Sequence, residues 1–177
     1  MTSDWLIGND RSDRARERLY SLATELIARN GVDGLDIDEL ARRAHCSRAT
    51  IYRHTGGKRQ IVEAVLTRTS AQIVGTVRSA IDGATGRKRT ELAILTALEA
   101  IRGDPITRRL LRSPTVVDEM RAVTGSAVVR GAASDLMGLD SDDDATVSFA
   151  VRSVVALVVW PADDEQQQVR MLIGALG

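Results

Sequence analysis

A chain of 177 residues, 44% of them hydrophobic, can bury one mid-sized core or a small module beside a second helical unit. Its 24 basic residues balance 24 acids, so any polyanion must be met by a local basic face rather than by overall charge. One cysteine, Cys46, excludes an internal disulfide, and the longest apolar stretch, from Val147 to Trp160, is interrupted by Ser148, Arg152 and Ser153 and too short to cross a bilayer.

From Arg14 to Asn30, Leu19, Leu22, Ala23, Leu26 and Ile27 recur at three- and four-residue steps, which predicts an amphipathic helix stopped by Gly31. The residues before it, Trp5 included, lack that period and are expected to form an arm or a frayed start. In GLDIDELARRA, Asp36 is expected to cap a second, short helix, with Glu39 reaching back to it as in a capping box, and Leu35, Ile37, Leu40 and Ala41 facing inward. Ser47 offers a further cap ahead of Arg48, Ala49, Thr50, Ile51 and Tyr52. Two short helices about a four-residue turn are the pattern of a helix-turn-helix.

Gly56 and Gly57 end the third helix, after which Ile61, Val65, Thr69, Ile73, Val77 and Ile81 predict a long fourth one. Beyond Gly83, Leu92, Leu95, Leu98 and Ile101 share a stripe that Gly103 closes. Asp104 with Pro105 and Ser113 with Pro114 each predict a helix start, the second helix running through Val117, Met120, Val123 and Val128 to Met137. Asp142 or a neighbour is expected to cap Ala145 to Val159, and Asp163 to open a last helix through Leu172 and Leu176. No strand pattern of convincing length appears, so the expected fold is all-α with eight or nine helices.

In a helix-turn-helix the second helix enters the major groove. Between Ala44 and Gln60 the chain has Arg48, Arg53, Lys58 and Arg59 and no acid. Arg48 is suited to guanine O6 and N7, and Ala49 and the Thr50 methyl to a thymine methyl. Tyr52, His54 and Lys58 are better placed for phosphates, with Arg53 on the outward side.

The stretch AHCSRATIYRH and its flanks resemble the TetR-type transcriptional regulators over about Arg18 to Val65. Leu40-Ala41, Ser47, Thr50-Ile51-Tyr52, His54 and Lys58 coincide with that family's pattern. His45 departs from the usual turn glycine, and Thr55 from a favoured phenylalanine, which implies looser packing of the third helix on the fourth. Asp36 and Asp38 put two acids where phosphates would come close. The resemblance implies a three-helix DNA-binding module (residues 1–60), joined by a long helix to a helical regulatory and dimerisation domain (residues 61–177). It implies a homodimer, repressor or activator, on a pseudo-palindromic double-stranded operator, released or retained by a small ligand.

Independently of the resemblance, the run from Val147 to Val159 is apolar nearly all round, the mark of a helix that is buried or in an interface. Val147, Val151, Val154, Val155, Val158 and Leu172 are the candidate dimer-interface residues. Leu95, Leu98, Met120, Arg102 and Thr124 are candidates for the lining of a pocket for a small aliphatic ligand, and core packing accounts for the same residues. The acidic run at Asp140, Asp142 and Asp144 lacks the glycine and glutamate of a calcium loop, and His45 with Cys46 lacks further ligands, so no metal or cofactor is expected. Both histidines lie inside the DNA-reading segment, which leaves no catalytic cluster and argues against an enzyme. Cytoplasmic residence is the expectation, with no membrane partner. A helical protein-interaction or dimerisation protein, or a regulator without small-molecule control, is the alternative.

Overall fold

The computed structural model describes residues 4–176, with side chains from residue 12 onward. Ten helices and no strand occur among the described residues: α1 (Asp4–Asn30), α2 (Ile37–Ala44), α3 (Arg48–Thr55), α4 (Lys58–Ala80), α5 (Gly86–Gly103), α6 (Pro105–Leu110), α7 (Val116–Gly125), α8 (Ala127–Met137), α9 (Asp144–Val159) and α10 (Glu165–Ala175). They form two compact units, Met1–Ser70 and Ala71–Gly177, and the division falls inside α4.

In the first unit α1 packs on α2 and α3. The expected stripe is the core: Leu19, Ala23, Leu26 and Ile27 of α1 are buried with Leu35, Ile37, Leu40, Ala41, Ile51, Ile61 and Val65. Each fully buried Leu, Ile or Val contributes roughly 1.5–3 kcal/mol, so this small module depends on nearly all of them. The first half of α4 is tied to α1 by Arg68, whose two terminal nitrogens donate to Glu17 at 2.7 and 2.5 Å while its guanidinium lies 4.4 Å from the Tyr20 ring centre. The Arg68 contact holds the Glu17 carboxyl below its usual range.

Two boundaries differ from expectation. The backbone of α1 is helical from Asp4, not from Arg14, so the stretch holding Trp5 is neither arm nor frayed start; the Trp5 side chain lies outside the described residues. The single helix expected from Val117 to Met137 is two, because Ser126 leaves the helical region (φ −74°, ψ 122°) and its Oγ accepts from the Val129 N–H to cap α8. Ser113 accepts from the Thr115 N–H in a turn and does not cap α7. Asp104 accepts from Thr107 and Asp143 from Thr146 as expected, while the last helix is capped by Asp164, accepting from Gln167, and not by Asp163. Asp140, at the start of the acidic run, accepts from the Asp142 N–H, and Asp144 lies 3.2 Å from Arg130.

In the second unit α5 packs against α6, α8, α9 and α10, and the core gathers Val77, Ile81, Ile94, Leu98, Leu136, Met137, Ala150, Val158, Val169, Leu172 and Ile173. Its polar groups serve helix ends. Arg89 donates to the Asp135 and Leu136 carbonyls at 2.8 and 3.1 Å and Thr90 to that of Met137 at 2.9 Å, completing the last turn of α8. Arg102 of α5 binds Glu165 at the start of α10 through both terminal nitrogens, at 3.1 and 2.6 Å, and one of them also donates to the Leu157 carbonyl at 2.6 Å.

Arg102 thus joins α5, α9 and α10, with its side chain and that of Glu165 each 27% exposed. Truncation to alanine would leave a half-buried carboxylate and a carbonyl without their donor, a loss of about 1–3 kcal/mol. Urea unfolding of Arg102→Ala is expected to show a lowered midpoint of that size, and the double variant with Glu165→Gln is expected to lose less than the sum of the two single variants.

Candidate nucleic-acid interface

Asp36 takes an extended backbone and accepts from the Asp38 N–H at 2.8 Å, which starts α2 as the sequence suggests. Glu39 does not complete the capping box. It binds Arg43 at 2.7 Å and also Arg42, and these arginines, Arg43 foremost, hold its carboxyl below the usual range. The two arginines lie one turn further along α2, and a charge-assisted bond to them is stronger than one to a backbone amide.

The turn that follows is closed by two backbone bonds, Cys46 N–H to the Ala41 carbonyl at 3.0 Å and His45 N–H to the Arg42 carbonyl at 3.3 Å. This is a Schellman pairing, and it forces the intervening residue into the left-handed region. That residue is His45, at φ 52°, ψ 46°, the one non-glycine residue with positive φ among the described residues. Ser47 then returns to extended backbone, and its Oγ accepts from the Thr50 N–H at 3.2 Å, starting α3. The Thr50 hydroxyl shares a further 3.0 Å bond with Ser47 Oγ, so it belongs to the cap.

Inside α3, Ile51 is fully buried and Thr55 nearly so, its hydroxyl donating to the Ile51 carbonyl at 2.8 Å. Thr55 therefore fills its site as a buried polar residue with its hydroxyl satisfied by the preceding turn. Facing outward are Ser47, Arg48, Ala49, Tyr52 and Arg53, with Thr50 and His54 half-buried at the edge and Lys58 exposed at the head of α4. Gly56 (φ 80°) ends α3, and Gly57 (φ 116°) passes beneath the Tyr52 ring, where a Cβ would lie 2.9 Å from its Cε1. The ring is held on backbone yet remains 46% exposed.

Besides Ser47 and Thr50, three of the predicted residues are already engaged. Lys58 Nζ donates to the Asp33 carbonyl at 2.8 Å, and His54 Nδ1 lies 3.3 Å from Ser12 Oγ while Arg16 donates to the His54 carbonyl at 3.1 Å. Arg48, expected to be free, lies 3.3 Å from an Asp38 carboxylate oxygen. Sequence reasoning marked Asp38 only as a repulsive acid, because their pairing across the turn depends on the angle between α2 and α3.

The candidates in the second unit also find places. Val147, Val151, Val158 and Leu172 are largely buried within their own chain, and Val154 and Val155 are half-buried. The exposed stripe of α9 is Ala145, Phe149, Arg152 and Ala156, continuing to Trp160 beyond its end, and Met171 is exposed on α10. Of the pocket candidates Leu98 is fully buried, Leu95 and Met120 are half-buried, Arg102 is bound to Glu165, and the Thr124 hydroxyl donates to the Arg121 carbonyl.

A basic, aromatic-bearing helix held outward by a capped and closed turn is the reading head of a helix-turn-helix DNA-binding protein. Residues 19–65 match the family described as bacterial regulatory proteins, tetR family. An uncharacterised HTH-type transcriptional regulator of Mycobacterium tuberculosis is 27% identical over 96% of this chain and 87% of its own length. The HTH-type transcriptional activator FasR of Mycolicibacterium smegmatis is 29% identical over 85% of this chain and 70% of its own. In fold, the chain is similar to the TetR family repressor AlkX from Dietzia sp., with a TM-score of 0.56 at 20% identity over 91% of this chain and 92% of that one. Residues 19–65 thus carry a TetR-type helix-turn-helix, in a chain that is similar over most of its length to HTH-type transcriptional regulators.

Histidine in the left-handed turn costs backbone energy that glycine avoids. His45→Gly is expected to stabilise the protein by up to about 1 kcal/mol, and the β-branched His45→Val to destabilise it by about 1–2 kcal/mol. Chemical denaturation of the full chain checks both, and equal midpoints for the two variants would contradict the turn geometry.

Proposed function

We propose that this regulator is a homodimeric repressor, residues 1–60 being its DNA-binding domain and residues 61–177 its regulatory and dimerisation domain. It sets two copies of α3 into major grooves of a pseudo-palindromic operator, half-sites about one helical turn or a multiple apart. The observation that carries this reading is the outward face of α3, with Arg48, Ala49, Tyr52 and Arg53 exposed behind the Ser47 cap. Arg48 and Thr50 address base edges, while Tyr52, His54 and Lys58 address phosphates.

Dimerisation is assigned to the exposed side of α9 and α10. Phe149, Trp160 and Met171 are 48%, 71% and 63% exposed there, and large rings and thioethers left in water are the usual anchors of an interface. The protein works in the cytoplasm and has no catalytic role; none of its described helices is long and apolar enough to cross a membrane.

Control is exerted by a small, mainly aliphatic ligand in the second unit. Support comes from α7, which has no buried residue, although Met120 and Val123 are half-buried. Two buried polar atoms, Arg102 Nε and Glu119 Oε2, are without partners among the described residues and could meet a polar group on such a ligand. Ligand binding would shift the population of dimers toward one with a different separation of heads, acting through α4, which carries Ile61 into one core and Val77 into the other.

Selection from a duplex pool with a randomised centre supplies an operator to test. Arg48→Ala is expected to weaken binding to the selected duplex by about ten- to a hundredfold and to relax preference at one base pair per half-site. Lys58→Ala is expected to weaken all duplexes alike. Wild-type affinity that does not fall with salt, or that Arg48→Ala leaves unchanged, would refute the reading.

The dimer has its own test. Phe149→Glu and Met171→Glu alter side chains exposed in the single chain, so folding is expected to survive, while sedimentation shifts to the monomer and affinity for the two-half-site operator collapses. An unchanged dimer in both variants would place the interface elsewhere.

A further inference from the structure

The acid in the first turn of α2 stands against the arginine that opens α3. Arg48 Nη1 lies 3.3 Å from one Asp38 oxygen and 3.4 Å from the other, and the two side chains are 60% and 65% exposed. Ten residues separate them in sequence, and the left-handed turn at His45 with the Ser47 cap brings them together. Among the described contacts Asp38 engages Nη1 alone, which leaves the edge formed by Nη2 and Nε uncommitted to it. That edge carries two parallel donors, the number that guanine O6 and N7 accept.

We propose that Asp38 is a specificity-determining residue that discourages capture of Arg48 by the DNA backbone while leaving its base-reading edge available. The argument is one of charge. A phosphate that approaches Arg48 must come close to the Asp38 carboxylate, and like charges repel. Guanine carries no net charge, so it can accept from the Nη2 and Nε edge while Nη1 stays on Asp38. Random DNA offers Arg48 a phosphate at every step and a correctly placed guanine only rarely. Asp38 therefore weakens the sequence-independent mode of binding more than the selective one. It also holds a long side chain in one orientation before contact, which reduces the rotamer freedom lost on binding.

This inference rests on the reading of α3 as the DNA-facing helix, and the experiment separates the two. Affinities of wild type, Asp38→Asn, Asp38→Glu, Asp36→Asn and Arg48→Ala are measured across a salt series. Each is measured on the duplex selected from the randomised pool and on a scrambled duplex of the same composition. Asp38→Asn is expected to tighten binding to the scrambled duplex by about three- to fivefold, to steepen its salt dependence by about one counterion and to lower the ratio of selected to scrambled affinity. Asp38→Glu is expected to restore the wild-type ratio, and Asp36→Asn, which keeps the cap and removes a neighbouring charge, to leave the ratio near wild type. If Asp38→Asn leaves the ratio unchanged while Arg48→Ala abolishes selectivity, Asp38 has no such role and the DNA-facing helix stands. If Asp36→Asn lowers the ratio as much as Asp38→Asn, the effect is one of general charge and the pairing is overturned. If Arg48→Ala binds both duplexes like wild type, both readings fall. Circular dichroism and the unfolding midpoint of each variant confirm that folded proteins are compared.

Discussion

The reversal of the chain between Ala41 and Ser47 decides whether α3 can be read by DNA at all. Two backbone bonds close it, and they require one left-handed residue between an α-helix and an extended cap. If that residue relaxed to an ordinary backbone, the Ala41 carbonyl would lose the Cys46 N–H and Ser47 would no longer face the Thr50 N–H. Ile51, fully buried beneath α3, could not then keep its place while Arg48 and Tyr52 faced outward. Histidine meets this demand less easily than glycine, and the rest of the module supplies the constraint: Leu40 and Ala41 anchor one side of the turn and Ile51 the other. Backbone strain at a single position is sustained by apolar burial on both flanks.

What could be read from residues alone follows from how local the cause is. Asp36, Ser47, Asp104 and the acids ahead of α9 and α10 act within three residues of the amides they cap, so the helix starts were legible to within a residue or two. The break at Ser126 was not, because apolar residues continue through it at helical spacing and the glycine before it, at about 1 kcal/mol, weakens a helix without ending it. Periodicity shows that a face is apolar, but not what covers it. For Val147, Val151 and Val158, nothing local says that α5 and α8 lie over α9. Glu39 illustrates a competition: the amide of the cap and two arginines were all within reach, and charge prevailed.

The two units use their polar residues differently. In the second, Arg89, Thr90 and Arg102 donate into helix ends and close the structure on itself. In the first, Ser12, Asp33 and Asp38 engage His54, Lys58 and Arg48 at the rim of the reading face. The bonds of His54 and Lys58 are exposed or half-exposed, hence weak, and each can be exchanged for a contact of similar strength outside the protein. The reading face is thus ordered in advance by bonds that are easily given up, which lowers the entropy lost when the same side chains are recruited elsewhere.

Gly57 lies beneath the Tyr52 ring with no room for a methyl group. The ring and the bare backbone pack against each other across five residues, and position 57 is fixed twice over. A side chain at 57 would lift the ring, and even a smaller residue at 52 would leave a backbone at φ 116° that still calls for glycine. Over evolutionary time the hidden glycine is expected to outlast any change in the aromatic surface above it, so that the exposed ring is free to vary over a floor that is not, although the floor touches no ligand of its own.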